Sequence, residues 1–110
     1  MIHERHMKAA EEILWTRKIQ KELAQLTNVS LEDKFECSRY HMYRITCGLE
    51  STLPADDVSL INACLAERDR LKALLIGHSQ KEIFRRHGAS YETVIRYVED
   101  FAECGAGHEH

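Results

Sequence analysis

The sequence predicts an all-α fold made of two tandem three-helix units joined by a short linker. Helix breakers are scarce, because the 110 residues include only one Pro and five Gly, and this shortage favours helices. A hydrophobic fraction of 44% is enough to form a core in a chain of this length. The same order of helices, first long, then short, then medium, is predicted twice along the chain, which favours two similar units.

Three helices are predicted in the first half. Residues 4–26 carry apolar side chains mainly at three- and four-residue steps, which is typical of a long amphipathic helix. Asn28 or Ser30 is expected to cap a short second helix, and Ser38 to cap a third that ends near Gly48.

A linker is predicted over residues 50–55. Pro54 cannot continue a helix and restricts the residue before it. Asp56 and Asp57 then place acidic side chains at the start of a second long helix, which is expected to end before Gly77.

The last two helices carry the clearest end signals. Ser79 with Glu82 forms the pattern of a capping box, Gly88 permits a tight turn, and Ser90 is the expected cap of the final helix. The predicted helices are 4–26, 29–36, 38–47, 55–76, 79–87 and 90–102.

An internal repeat relates the two halves. An offset of 52 residues aligns Ser38 with Ser90 and also aligns Leu31 with Ile83 and Met42 with Val94. The predicted organisation is an N-terminal unit, a linker, a C-terminal unit and a flexible tail at residues 1–49, 50–55, 56–103 and 104–110.

Residues 77–98 read GHSQKEIFRRHGASYETVIRYV. This segment resembles the helix-turn-helix of phage repressors and of resolvase and invertase recombinases, in which Gln-x-x-Ile, Gly, Ser and Thr-Val-x-Arg recur. Ile83 and Val94 are expected to pack the two helices together. Two residues depart from the family pattern, since Phe84 replaces a small Ala and His87 replaces a Leu. His87 is expected to be a half-buried histidine of the packing face.

The resemblance implies a DNA-binding role for the segment 79–98, here called the second motif. Gln80 would contact the DNA backbone, and the start of the last helix would enter the major groove. Arg96 is the expected phosphate or guanine contact. The candidate DNA-binding residues of this motif are Gln80, Arg85, Ser90, Tyr91, Glu92, Ile95 and Arg96.

A degenerate helix-turn-helix is predicted at residues 28–47, here called the first motif. Its apolar skeleton is Leu31, Phe35, Cys37, Met42 and Ile45. Glu36 stands in place of the turn glycine, and a left-handed conformation there costs about 1 kcal/mol, so a less regular turn is expected. Its candidate DNA contacts form a basic and aromatic surface made of Arg39, Tyr40, Tyr43 and Arg44.

Basic side chains are concentrated in the second motif, as expected for a segment that binds DNA. The net charge is −3, which by itself disfavours binding to a polyanion. Residues 79–98, however, hold four basic and two acidic side chains. The basic charge is therefore placed at the motif itself.

Two tandem units with a Pro-containing linker are similar in architecture to the DNA-binding regions of paired domains and mariner-type transposases. The predicted function is sequence-specific binding of double-stranded DNA by a phage or mobile-element transcriptional regulator. The alternative is a protein-interaction module or inhibitor of the same shape. The long helix with Trp15 is the candidate interface of a homodimer.

Other classes are disfavoured. No catalytic motif is readable, so no enzyme activity, cofactor or metal site is predicted. Cys37, Cys47, Cys64 and Cys104 are widely spaced, which favours free buried thiols. Because no apolar run is long enough to span a membrane and no secretory signal is present, a cytoplasmic protein without membrane association is expected.

Overall fold

The computed structural model describes the backbone of residues 3–108 and the side chains of residues 3–100. The fold is all-α, with six helices and no strand among these residues. The helices are α1 (Glu4–Ala24), α2 (Asn28–Phe35), α3 (Arg39–Thr46), α4 (Ala55–Leu74), α5 (Gln80–His87) and α6 (Tyr91–His108).

Helix boundaries follow the predicted signals closely, with two corrections. The cap of α2 is Thr27, whose hydroxyl accepts a hydrogen bond from the Ser30 backbone N–H at 3.2 Å; Asn28 is already inside the helix. Helix α6 continues to His108, beyond the predicted end at residue 102 and into the segment predicted as a flexible tail. Residues 109 and 110 of that segment lie outside the described residues.

The chain divides into two compact units, and they do not correspond to the first and second halves of the sequence. One unit contains residues 1–18 and 75–110, and the other contains residues 19–74. We call them the discontinuous unit and the continuous unit. The division differs from the predicted boundary at residues 50–55, which lie wholly inside the continuous unit.

The core of the continuous unit joins the first motif to α4. Leu31 of α2, Met42 and Ile45 of α3 and Ile61 of α4 are buried together. Leu53, from the predicted linker, packs against this core. The Pro54 carbonyl accepts a hydrogen bond from the Val58 N–H at 3.1 Å, so the stretch 50–55 is the entry into α4 within one unit.

The core of the discontinuous unit joins the second motif to the first half of α1. Ile83 of α5 and Val94 of α6 are buried together, as predicted, and Val98 adds to them. Ala9, Ala10 and Ile13 of α1 complete this core. The second motif is therefore supported by α1, which directly precedes the first motif in the sequence. The first motif is supported by α4, which directly precedes the second.

Both supporting helices use positions related by the same 52-residue offset. Ile61 of α4, which supports the first motif, aligns with Ala9 of α1, which supports the second. Leu65 of α4 aligns in the same way with Ile13 of α1. The two long helices thus occupy equivalent positions in the sequence repeat, but each packs against the motif that follows the other long helix.

Glu36 adopts the same turn conformation as a glycine. Its φ and ψ are 52° and 45°, against 60° and 34° for Gly88, so both residues end their helices in the left-handed region. The hydrogen bonds across the two turns also correspond, since Cys37 N–H donates to Glu32 O at 3.0 Å and Ala89 N–H to Phe84 O at 3.2 Å. The expectation of a less regular first turn was therefore wrong, and Glu36 carries backbone strain instead.

Substitutions at the two turns are expected to have opposite effects. Glu36→Gly should raise the free energy of unfolding by up to about 1 kcal/mol, because glycine relieves the left-handed strain but adds freedom to the unfolded chain. Gly88→Ala should lower it by about 1 kcal/mol, since a Cβ there meets no atom within 4 Å and only the conformation is strained. Urea unfolding of the two variants measures both changes, and an equal loss in both would contradict the strain at Glu36.

Candidate nucleic-acid interface

The two motifs share one local geometry at corresponding positions. Helices α2 and α5 each span eight residues, and their first residues, Asn28 and Gln80, are 52 positions apart. The N-caps Thr27 and Ser79 correspond, and so do the turn residues Glu36 and Gly88. The 52-residue repeat predicted for the motifs is therefore present in the backbone.

Polar side chains form hydrogen bonds at the start of each helix in the motifs. Ser79 forms the predicted capping box with Glu82, each side chain accepting a backbone N–H of the other residue at 3.3 Å. Ser38 caps α3 by accepting the His41 N–H at 3.3 Å. At the position that corresponds to Ser38, the Ser90 backbone N–H donates to Nε2 of the buried His6 at 3.2 Å. These bonds satisfy groups that a helix start leaves unpaired.

The predicted contacts of the second motif are exposed, with one exception. Ile95 is half-buried and packs against the core of the discontinuous unit, so it is not the outward-facing residue that helical spacing suggested. Tyr91 is exposed, and its ring lies edge-on to Phe84 with centroids 5.3 Å apart. The exposed candidates of this motif are Gln80, Arg85, Ser90, Tyr91, Glu92 and Arg96.

The predicted contacts of the first motif separate into two groups. Arg39, Tyr40 and Tyr43 are exposed on α3. Arg44 is half-buried: its Nε donates to the Glu50 carbonyl, and its guanidinium lies 5.7 Å from the centre of the Tyr40 ring. Arg44 therefore ties α3 to the segment that follows it and is less available for DNA than predicted.

A half-buried carboxylate anchors the second motif to α1. The Glu12 side chain is only 16% exposed, and Arg86 Nη1 donates to its Oε2 at 2.6 Å. His78 Nδ1 lies 2.9 Å from Oε2 and His87 Nε2 lies 2.9 Å from Oε1. Because an ionised carboxylate only accepts hydrogen bonds, Nδ1 of His78 and Nε2 of His87 each carry a proton. His78 precedes α5 and His87 is its last residue, so Glu12 holds both ends of that helix.

These bonds keep Glu12 ionised. Burial alone raises the pKa of its carboxyl, but the hydrogen bonds from His87, His78 and Arg86 outweigh it and lower the pKa from the ordinary 4.5 to about 2. His87 is half-buried, as expected. Among the described residues, no group of His, Cys, Asp and Glu is arranged to hold a metal ion.

Sequence reasoning missed the anchor and one further contact. Glu12 looked like one more acid on a solvated helix face, and only its burial with three donors distinguishes it. Arg68 of α4 lies outside both motifs in the sequence, yet its Nη1 donates to Asn28 Oδ1 at 2.6 Å and to the Leu26 carbonyl at 3.3 Å. Arg68 therefore supports the start of the first motif.

Trp15 lies at the surface, and the cysteines differ in part from expectation. Trp15 is 36% exposed and stands edge-on to His78, with ring centroids 5.0 Å apart. Cys37 and Cys64 are half-buried free thiols, whereas free Cys47 is exposed and not buried as predicted. The side chain of Cys104 lies outside the described residues.

No helix in the described part of the chain has both the length and the apolar character required to cross a membrane. Comparison of the chain with protein-family models, with curated proteins and with solved structures gives no match.

Proposed function

We propose that this chain binds double-stranded DNA in a sequence-specific manner through its two motifs and regulates transcription in a phage or mobile element. The repeated backbone geometry of the motifs supports this function. Each motif places the start of a helix, with its exposed side chains, after a tight left-handed turn, which is the arrangement needed to present a recognition helix to a major groove.

The exposed side chains of the second motif have the chemistry of a DNA contact. Gln80 begins α5, where its amide can reach a phosphate, and Arg96 offers a planar donor fork for phosphate or guanine. Lys81 and Arg85 are also exposed on α5. Glu12 neutralises only Arg86 of the basic residues in this motif, so three basic side chains remain for a polyanion.

Binding of duplex DNA should weaken steeply with salt, because Lys and Arg that neutralise phosphates release counterions. Arg96→Ala is expected to lower the affinity about 10- to 100-fold, as for the loss of a bidentate base contact. The matched control is Arg70→Ala, which removes the same charge from a side chain already paired with Glu67 on α4. Titration of labelled duplexes at several salt concentrations measures both effects. Affinity that ignores salt, or equal losses in the two variants, would contradict the proposal.

A protein partner is the second candidate, and one surface favours it. Val29, Tyr40 and Tyr43 of the first motif are 64%, 62% and 59% exposed, and Val29 and Tyr43 line a groove between α2 and α3. Exposed aromatic side chains are typical of protein interfaces. If Tyr43→Ala abolishes a protein complex while Arg39→Ala and Arg96→Ala leave DNA affinity unchanged, the protein-interaction function replaces DNA binding.

A further inference from the structure

The two motifs have one backbone but present different side chains at corresponding positions. Each residue of α3 aligns with the residue 52 positions later in α6. The residues of α3 and α6 can therefore be compared position by position. The aligned candidate contacts, first motif then second, are Arg39 with Tyr91, Tyr40 with Glu92, Tyr43 with Ile95, and Arg44 with Arg96.

These aligned side chains differ in the charge and the hydrogen-bonding groups that they present to base edges. Arg39 is a cationic fork that matches the O6 and N7 acceptors of guanine, whereas Tyr91 at the same position is uncharged and held against the Phe84 ring. Glu92 is an acceptor that suits the cytosine amino group, whereas Tyr40 carries a hydroxyl that both donates and accepts. All four side chains are exposed.

The remaining two aligned positions differ in availability. Tyr43 is 59% exposed, but Ile95 packs partly into the core of its unit. Arg44 and Arg96 are the same residue type, yet Arg44 is held by the Glu50 carbonyl and the Tyr40 ring while Arg96 is exposed. No outward position of one recognition helix is therefore reproduced in the other.

We infer that the DNA site of this chain is asymmetric, with two unlike blocks of sequence, one read by each motif. This inference rests on the proposed DNA binding and specifies its target. Arg39 and Tyr40 of α3 select one block, which includes a guanine for Arg39. Tyr91, Glu92 and Arg96 of α6 select the other. Two copies of one block do not satisfy both helices, because a base contact that suits Arg39 does not suit Tyr91.

Selection of duplexes from a random DNA pool by the full chain tests the inference. The enriched sequence should contain two different blocks. Recovery of two copies of a single block, or of one block only, would overturn the asymmetric site while leaving DNA binding intact. If no sequence is enriched over the starting pool, the proposed DNA binding fails, and the asymmetric site fails with it.

The affinity of each protein variant for duplexes in which one block is scrambled then shows which motif reads which block. Arg39→Ala should weaken binding of the selected duplex about 10- to 100-fold but should have no effect once the first block is scrambled. Arg96→Ala should show the same dependence on the second block alone. If Arg39→Ala weakens binding equally whichever block is scrambled, the assignment is overturned. Both residues are exposed, so thermal unfolding of the variants should match that of the parent chain.

The triple variant Arg39→Tyr, Tyr40→Glu, Tyr43→Ile gives the first motif the aligned side chains of the second. Selection with this variant should replace the guanine that Arg39 reads in the first block with the bases preferred by Tyr91 and Glu92. Because Arg44 remains bound to the Glu50 carbonyl, a complete second copy of the second block is not expected. Retention of the original first block would overturn the role of these side chains in reading it.

Discussion

Division of the chain at the predicted linker is expected to leave two fragments that do not fold. Fragment 1–49 contains the first motif without α4, and fragment 56–103 contains the second motif without α1. Far-UV circular dichroism of each fragment should show little helix and no cooperative thermal transition. Mixed in equal amounts, the fragments should recover both.

The physical reason is the exchange of supporting helices. Fragment 1–49 lacks Ile61, which is fully buried in the core of the first motif, together with Val58 and Leu65, which pack against that core. Full burial of an aliphatic side chain such as Ile61 stabilises a fold by roughly 1.5–3 kcal/mol, and the partly buried Val58 and Leu65 contribute less each. Loss of all three is comparable to the roughly 3–5 kcal/mol that one core supplies in so small a unit.

Fragment 19–74 is the matched control. It has nearly the same length as fragment 1–49, but it retains the complete core of the continuous unit. We expect it to unfold cooperatively on its own. A cooperative transition in fragment 1–49, or its absence in fragment 19–74, would contradict the packing of α4 against the first motif.

Glu12→Gln is expected to lower the free energy of unfolding at neutral pH by about 2–4 kcal/mol. The neutral amide accepts through one oxygen and presents an amino group to His78, His87 or Arg86, so these three donors lose a charged partner at a half-buried site. Urea unfolding measures the loss. Glu11→Gln is the control, because Glu11 is the exposed neighbour on the same helix and its replacement should change stability by less than about 0.5 kcal/mol.

The same variant should remove an acid dependence. The pKa of Glu12 is lowered from 4.5 to about 2 in the folded chain, so its contribution is complete above pH 4.5 and is lost as the pH falls towards 2. The contribution is about 3 kcal/mol by linkage. The difference in stability between the parent chain and Glu12→Gln should therefore shrink over this range. A difference that stays constant from pH 5 to pH 2 would show that Glu12 is not held as an ion.

Local signals predicted the helices well because their causes are local. The capping box at Ser79 and the cap at Ser38 depend on residues only three positions away. The partners of the long helices could not be predicted in this way. Helices α1 and α4 carry apolar side chains at aligned positions, such as Ile13 and Leu65, so the apolar pattern fits either motif equally and the order along the chain suggested the wrong partner.

The candidate interface was predictable in outline. Helical spacing correctly placed Tyr91, Glu92 and Arg96 on an exposed face. It could not predict that Arg44 is held by the Glu50 carbonyl, because that contact depends on how the chain continues after α3. Nor could it predict the position of Ile95, because the exposure of a residue at the edge of a helix face depends on the angle at which α1 and α6 cross.

The Glu12 contacts make the choice of helix partner selective. The residues aligned with Glu12, His78 and His87 in the continuous unit are Cys64, Leu26 and Phe35, which all pack against its apolar core. If the long helices changed places, the Glu12 carboxylate would face Leu26 and Phe35 in place of its two histidine donors, and Lys34, which aligns with Arg86, would be its one basic neighbour. Burial of a charge that has lost hydrogen-bond donors is unfavourable. Cys64 would in turn leave two histidines and an arginine without their acceptor. The contacts of Glu12 with its donors therefore favour the packing of α1 against the second motif and of α4 against the first.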